Sequence, residues 1–236
     1  MTAVNTNTIK AIVFDMDGIL IDSEVIWGRV REQFANERGL AWTETDQLSL
    51  MGLISSQWSV RMHEMLRLKD ITAHELELEI RRRVVIAFEN DLPVRKGARQ
   101  AVEGLAAHWP IALASGSPRD LVELAMERTG MRSAFQFMLT GDDVVCGKPD
   151  PEIYLRALSI LGVAGHEAVG IEDSANGIRA LRSAGMWVVS APCPEFPLSA
   201  EVQALADVEV EGMEQIDARL IAEWVHKHPT ATAKGG

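Results

Sequence analysis

Cysteine is scarce in this sequence of 236 residues, which contains only Cys146 and Cys193 and no CxxC pair. A disulfide scaffold needs several paired cysteines, so we interpret both as structural residues of a protein from a reducing compartment. Long apolar runs are also absent, and a membrane-spanning helix needs about 18 consecutive apolar residues. The opening MTAVNTNTIK lacks the charged-then-apolar order of a signal peptide. We therefore expect a cytoplasmic protein without a membrane partner.

Basic residues are few relative to acidic ones: 23 Lys and Arg stand against 34 Asp and Glu, for a net charge of −11. This balance disfavours nucleic acid or an anionic membrane as a partner, but it does not conflict with a local basic pocket that binds a phosphate. The chain is 47% hydrophobic and 24% charged, as is typical of soluble globular proteins. Its length suits one large domain or two modest ones, and we expect a monomer or weak dimer.

What the sequence does contain is an alternation of strand-like and helix-like segments. The strand-like runs are AIVF at 11–14, IALAS after Pro110, FQFML from Phe135, AVGI before Glu172 and WVVS before Ala191. Each run is continuously apolar, which indicates strands that are buried on both faces. The sequence therefore predicts an α/β fold with a doubly wound parallel sheet.

Helix boundaries separate these strands. Ser117-Pro118 and Asp150-Pro151 each resemble an N-cap followed by a proline in the first helical position. Glycines at 130, 162 and 185 stand where helices are expected to end. These signals support the strand–helix alternation.

The alternation is interrupted between residues 22 and 91, where only helix signals occur. Ile26, Val30 and Phe34 share one helical face, and Thr72 to Glu75 form a capping box before a further amphipathic segment. We predict an all-helical cap at 22–91, inserted into a core formed by 1–21 and 92–236. The last residues, 227–236, are predicted to be a disordered tail.

Two acids, Asp15 and Asp17, follow the first strand directly in the stretch FDMDGILIDSE. Asp and Gly are poor strand residues, so the strand should end here, where side chains meet solvent or a ligand. One aspartate can attack phosphorus and form an aspartyl-phosphate. The other can protonate the leaving alcohol and then activate water, and Gly18 gives the turn its flexibility.

Other polar residues follow the later strands. Ser115-Gly116 lies beside a helix N-terminus that suits an anion, Lys148 stands between a glycine and a proline, and Glu172-Asp173 ends the fourth strand. Ligands of open parallel sheets bind beyond the carboxyl ends of the strands, where these groups should meet. Clustered carboxylates repel one another unless a cation lies among them, and hard oxygen ligands beside a phosphate favour Mg²⁺.

These residues resemble the haloacid dehalogenase superfamily of phosphohydrolases over nearly the whole chain. Four motifs occur in the family's order, namely DMDG, ASGS, GKPDPEIY and GIEDSANG. The match is best with the subgroup of small sugar phosphatases and β-phosphoglucomutases, whose helical cap lies between the first two motifs. The resemblance implies a Mg²⁺-dependent phosphatase acting on a small phosphate ester such as a sugar or polyol phosphate.

The resemblance also implies roles for the residues of the first two motifs. Asp15 would be the nucleophile and a metal ligand. Asp17 would be the acid and base, with its backbone carbonyl on the metal. Ser115 and the Gly116 amide would hold the transferring phosphoryl group, while Ser117 is expected to cap the next helix.

For the later motifs, Lys148 would balance the charge of the phosphate and of the nucleophile. Asp173 would bind Mg²⁺, with Glu172 beside it as a ligand or as support. Specificity should lie in the cap, where Glu24, Trp27 and the loop at 50–55 are candidate substrate contacts.

Three other functions share parts of this pattern. A β-phosphoglucomutase-type isomerase uses the same core, but Trp27 stands where such mutases have a histidine, and residues 50–59 contain no Arg or Lys for a second phosphate. A phospho-accepting receiver is about half this length and has no cap. The dehalogenase branch lacks the second acid, here Asp17. We therefore favour the phosphatase.

Overall fold

Six parallel strands form one sheet at the centre of the computed structural model, which describes residues 9–193 and 196–227. The strands are β1 (Ala11–Phe14), β2 (Ile111–Ala114), β3 (Phe137–Leu139), β4 (Ala168–Glu172), β5 (Trp187–Ser190) and β6 (Val208–Glu209). Their order across the sheet is β3-β2-β1-β4-β5-β6. The chain moves outward from β1 in both directions, which is the doubly wound arrangement. The predicted fold class is confirmed.

Strand β6 was not predicted from the sequence. This strand has only two residues, which pair with Val189 and Ser190 of β5. Two residues are too few to show a periodic pattern, so the pairing depends on tertiary context.

The described residues contain ten α-helices, of which five lie between β1 and β2, the first four of them in the predicted cap, and five follow β2. The first four are α1 (Ser23–Asn36), α2 (Glu44–Leu48), α3 (Ser55–Met65) and α4 (Ala73–Asn90). The others are α5 (Ala98–Ala106), α6 (Arg119–Thr129), α7 (Glu152–Leu161), α8 (Ala175–Ser183), α9 (Ala200–Gln203) and α10 (Ala218–Lys227). Short 3₁₀ helices occupy Arg132–Ala134, Gly141–Asp143, Gly165–Glu167 and Met213–Gln215. Within the described ranges, no helix has the length and apolar character that a membrane crossing requires.

The sheet is buried on both faces, as its apolar strands predicted. Ile12 and Phe14 of β1 belong to a core on the side of α5 and α6, which also contacts the apolar faces of the cap helices. Ala11 and Val13 point the other way, into a core completed by α7 and α8. The alternation follows from the two-residue period of a strand.

Several predicted helix ends are confirmed. The Thr72 hydroxyl accepts a hydrogen bond from the Glu75 amide, and the Glu75 carboxylate accepts one from the Thr72 amide, so α4 begins with the expected capping box. Gly130 and Gly162 end α6 and α7 in the left-handed conformation, and Gly185 takes the same conformation after α8. Glycine adopts positive φ without the steric cost of a Cβ.

Helices α6 and α7 both begin one residue later than predicted, with Pro118 and Pro151 at the N-cap positions. Helix α6 begins after Pro118, and the Ser117 hydroxyl donates to Asp17 at 2.8 Å, so the prediction that Ser117 caps this helix is wrong. The hydroxyl faces the strand ends because Ser117 still belongs to the loop that leaves β2. Asp150, in contrast, accepts a hydrogen bond from the Glu152 amide at the start of α7.

The cap helices are connected to the core by two neighbouring segments. Helix α1 buries Ile26, Val30 and Phe34 as its spacing predicted. The outgoing and returning segments pair at Ile21 and Val94 in a single antiparallel bridge. The division into core and cap at 21/22 and 91/92 stays a prediction. The structure describes the chain as far as Lys227, so the rest of the tail predicted at 227–236 lies outside the described residues.

Candidate active site

The turn after β1 places Asp15 and Asp17 at the carboxyl edge of the sheet. The Asp15 amide donates to the Ile171 carbonyl of β4 at 3.0 Å, which continues the pairing of the two strands by one residue. Gly18 then takes a φ of +74°, and a Cβ on it would lie 1.9 Å from Oδ2 of Asp173. Only glycine therefore permits this turn to contact Asp173.

Lys148 lies between two carboxylates in the interior. Its Nζ is 2.7 Å from Oδ1 of Asp15 and 2.7 Å from Oε1 of Glu172, and the residue is only 1% exposed. Burial alone would lower the pKa of this ammonium group, but the two acids and Tyr154 raise it well above its usual value. The lysine is therefore held as a cation beside Asp15.

Glu172 is fully engaged by hydrogen-bond donors. Besides Lys148, the Tyr154 hydroxyl donates to its Oε1 at 2.9 Å. Its Oε2 accepts the amides of Asp173 and Ser174 at 2.9 Å and the Ser174 hydroxyl at 3.1 Å. Burial would raise the pKa of Glu172, but the charge and hydrogen bonds of Lys148 and these donors lower it overall. Both oxygens are occupied, which favours support of the site over direct metal binding.

Asp173, unlike Glu172, has a carboxylate oxygen to which no described residue donates a hydrogen bond. Its Oδ2 is buried and has no hydrogen-bond partner among the described residues. Burial and the nearby charges of Glu172 and Asp15 raise the pKa of Asp173 well above its usual value. Burial also raises the pKa of Asp15, because its effect is larger than the opposing effect of Lys148. Carboxylate oxygens of these three acids lie within 4.8 Å of one another. An unpartnered buried oxygen in a cluster of hard ligands fits Mg²⁺.

Asp17 is held by three hydroxyl groups. Its carboxylate accepts from Ser23 at 2.5 Å, from Ser115 at 3.0 Å and from Ser117 at 2.8 Å. The Ser115 hydroxyl, which is fully buried, also accepts the Ser117 amide at 3.0 Å. Ser23 and Ser117 were not among the predicted site residues. Ser23 follows the DMDG motif by five positions within the stretch FDMDGILIDSE, and its place in that stretch was the available signal.

The cap loop predicted to face the site lies directly on the core loops. The Asn176 side chain donates to the Met51 carbonyl at 2.8 Å. A Cβ on Gly116 would lie 3.2 Å from the Gly52 carbonyl. Between the two layers lies a cavity of about 30 Å³, lined by Asp15, Asp17 and Lys148 among others. This volume accommodates a water-sized guest, so a larger substrate requires the cap to move.

The cap contributes both predicted residues, Glu24 and Trp27, to the cavity wall. Arg31, which was not among the predicted site residues, is a buried cation that also lines the cavity and lies over the rings of Trp27 and Trp58. The absence of Arg and Lys from residues 50–59 therefore did not mean that the cap lacks a cation. Arg31 lies one helical turn after Trp27 on α1, and that i, i+4 spacing was the available signal.

The pKa values of the two charged groups that the cap contributes, Glu24 and Arg31, depend on burial and on each other. Burial raises the pKa of Glu24 to about 7, although Arg31 and a hydrogen bond from Gln47 oppose the shift. Burial likewise lowers the pKa of Arg31 to about 10, against the attraction of Glu24 and Asp17.

Fold and site together define a haloacid dehalogenase-like hydrolase, and the model of that family matches residues 9–185. The chain belongs to this family, and the resemblance inferred from its motifs is confirmed. A phosphorylated carbohydrates phosphatase from Thermotoga maritima is 32% identical over 178 residues, which is 75% of this chain and 82% of that protein. Hexitol phosphatase B from Escherichia coli K12 is 28% identical over 221 residues, covering 89% and 96%. The protein is a phosphatase of this family.

Solved structures agree on the fold. A β-phosphoglucomutase from Clostridium difficile superposes with a TM-score of 0.81 over 95% of this chain and 100% of its own, at 21% identity. At that identity the likeness concerns the fold alone.

Proposed function

We propose that the protein is a Mg²⁺-dependent phosphatase that hydrolyses a small sugar or polyol phosphate through an aspartyl-phosphate on Asp15. The observation that carries this proposal is the contact of Lys148 with both Asp15 and Glu172, beside the unpartnered Oδ2 of Asp173. A structural ion pair would need no third buried acid with an unsatisfied oxygen. The names of the phosphatase relatives support the substrate class.

In the first chemical step, a carboxylate oxygen of Asp15 forms a bond to phosphorus while the bond from phosphorus to the alcohol oxygen breaks. Asp17 gives the departing oxygen its proton. Lys148 holds Asp15 by one oxygen and fixes its orientation. In the second step, Asp17 takes a proton from water, and the water oxygen attacks phosphorus. Inorganic phosphate forms and the Asp15 carboxylate is restored.

Asp15, Asp173 and the backbone carbonyl of Asp17 would bind the metal, and Glu172 would support these ligands. A bound Mg²⁺ would balance the negative charge that these acids share with the phosphate. Ser115 and the Gly116 amide would hold the phosphoryl oxygens. In that role the Ser115 hydroxyl exchanges its hydrogen bond to Asp17 for one to the substrate.

The test is release of inorganic phosphate from a panel of sugar, polyol and nucleoside monophosphates. Chelation should abolish turnover, and added Mg²⁺ should restore it. Asp173→Asn should raise the Mg²⁺ concentration needed for half-maximal activity by orders of magnitude, because it removes a charged ligand. Undiminished turnover in metal-free buffer would refute the proposal.

A mutase of the β-phosphoglucomutase type is the alternative, and Arg31 is the observation in its favour, since a mutase must hold the second phosphate of a bisphosphate intermediate. Trp27 argues against it, because an indole has no nitrogen that titrates near neutral pH. A coupled glucose 6-phosphate assay, primed with β-glucose 1,6-bisphosphate, distinguishes the two. Isomerisation faster than phosphate release would favour the mutase.

A further inference from the structure

Three buried polar side chains of the cap form a continuous hydrogen-bonded chain at the cavity. Nη1 of Arg31 donates to Oε1 of Gln47 at 3.1 Å, and Nε2 of Gln47 donates to Oε2 of Glu24 at 3.0 Å. Arg31 and Gln47 are each 3% exposed and Glu24 is 7% exposed. We call this set the cap polar chain. Burying an arginine and a glutamate is costly unless they are compensated, so their pairing through Gln47 requires an explanation.

Arg31 keeps at least one donor that has no partner among the described residues. Its guanidinium lies 4.8 Å from the ring centre of Trp27 and 5.1 Å from that of Trp58. Because indoles contact its faces, the remaining hydrogen-bonding capacity lies in the plane of the group. There, Nε is buried and has no partner among the described residues. Arg31 and Glu24 both line the cavity that also contains Asp15.

The net charge of the cap polar chain decides which ligand it suits. When ionised, Glu24 carries one negative charge that balances the positive charge of Arg31, and Gln47 connects the two without adding charge. A second phosphate or a carboxylate at this end of the substrate would be attracted by Arg31 and repelled by Glu24. A hydroxyl group, in contrast, can donate to Glu24 and accept from Arg31 at once.

We propose that the cap polar chain recognises the uncharged, hydroxylated end of the substrate, and that Glu24 excludes substrates with a second anion by neutralising Arg31. Arg31 and Gln47 thereby become specificity-determining residues for the dephosphorylation. This inference rests on the proposed function and narrows it to phosphate monoesters of polyols or neutral sugars. A bisphosphate or a phosphorylated acid would be a poor substrate.

The test compares substrates that differ only at the far end. Sorbitol 6-phosphate and 6-phosphogluconate share six carbons, and glycerol 3-phosphate and 3-phosphoglycerate share three; in each pair an alcohol is replaced by a carboxylate. At pH 8, where Glu24 is ionised, wild-type kcat/KM for phosphate release should be higher for the alcohol than for the acid in whichever pair is hydrolysed faster. Glu24→Gln should raise the ratio of acid to alcohol by about tenfold or more, since it leaves Arg31 unopposed.

Arg31→Gln should shift the ratio in the opposite direction, because the Glu24 carboxylate then stands alone. Matched controls are Glu32→Gln and Arg29→Gln, which make the same substitutions at exposed positions of α1. Both controls should keep the wild-type ratio. A merely structural role for the cap polar chain would lower both rates together and leave the ratio unchanged in all four variants, and that result would overturn the inference.

Calorimetric binding of sorbitol 6-phosphate and 6-phosphogluconate in the presence of a chelator provides a readout that needs no turnover. Wild type should bind the alcohol more tightly than the acid, and Glu24→Gln should reverse this preference or reduce it about tenfold. That result supports the inference even if no phosphate is released. Absence of phosphate release from every substrate would count against the proposed function instead. Tighter binding of the acid by wild type would overturn the inference alone.

Discussion

Glu24 is a buried acid whose ionisation should be measurable in the stability of the whole protein. Its pKa is raised from 4.5 to about 7, because the effect of burial is larger than the opposing effects of Arg31 and Gln47. The folded state therefore holds the proton more tightly than the unfolded state. Its contribution to stability is complete below pH 4.5 and is lost as the pH rises through about 7. At about 1.4 kcal/mol for each pKa unit, the total is about 3 kcal/mol.

Glu24→Gln removes the charge and keeps an oxygen that can accept from Gln47. We expect the variant to match wild type near pH 4.5 and to exceed it by about 3 kcal/mol in free energy of unfolding near pH 8. The measurement is urea denaturation across this pH range in the presence of a chelator, so that metal binding does not contribute. Glu32→Gln, on the exposed side of the same helix, should give a difference that does not change with pH.

Two results would refute this reasoning about Glu24. One is a variant that is less stable than wild type near pH 8, which would mean that the carboxylate is stabilised by its surroundings. The other is a difference that stays constant from acid to alkaline pH.

Two further predictions concern the packing of the catalytic acids. Lys148→Met should destabilise the metal-free protein by about 3 kcal/mol or more, because two buried carboxylates lose their cation; thermal and urea unfolding would show this, and Lys96→Met at an exposed position should have no measurable effect. Gly177→Ala should abolish activity and lower stability, since its Cβ would lie 1.6 Å from Oε1 of Glu172. Gly104→Ala, which meets nothing within 4 Å, should be neutral or slightly stabilising; equal effects of the two glycine substitutions would contradict the packing described.

The sequence allowed the core of the site to be predicted because strand ends carry the chemistry. Asp15, Lys148 and Asp173 lie far apart in the chain, yet each follows or supports a strand of one parallel sheet, and the carboxyl ends of such strands share an edge. Apolar runs and capping signals located those strands without tertiary information. The family motifs then added roles that position alone does not define.

The cap was less predictable for a physical reason. Arg31 and Gln47 meet only because α1 and α2 pack in a particular orientation, and no local signal encodes that orientation. Ser117 was assigned to a helix cap because its hydroxyl could satisfy local amides, but the nearby Asp17 is its acceptor. In both cases a long-range hydrogen bond prevailed over a local preference.

The central claim is that Asp15 carries the phosphoryl group, and trapping that group tests it most directly. Asp17→Asn should still be phosphorylated by acetyl phosphate with Mg²⁺, because this activated donor needs no proton on its leaving group, but it should lose the phosphoryl group slowly without a base. Intact-mass and peptide analysis should find one phosphoryl group on Asp15, and none in a variant that also carries Asp15→Asn. A phosphoryl group on another residue such as Ser115, or rapid turnover by Asp15→Asn itself, would contradict the account.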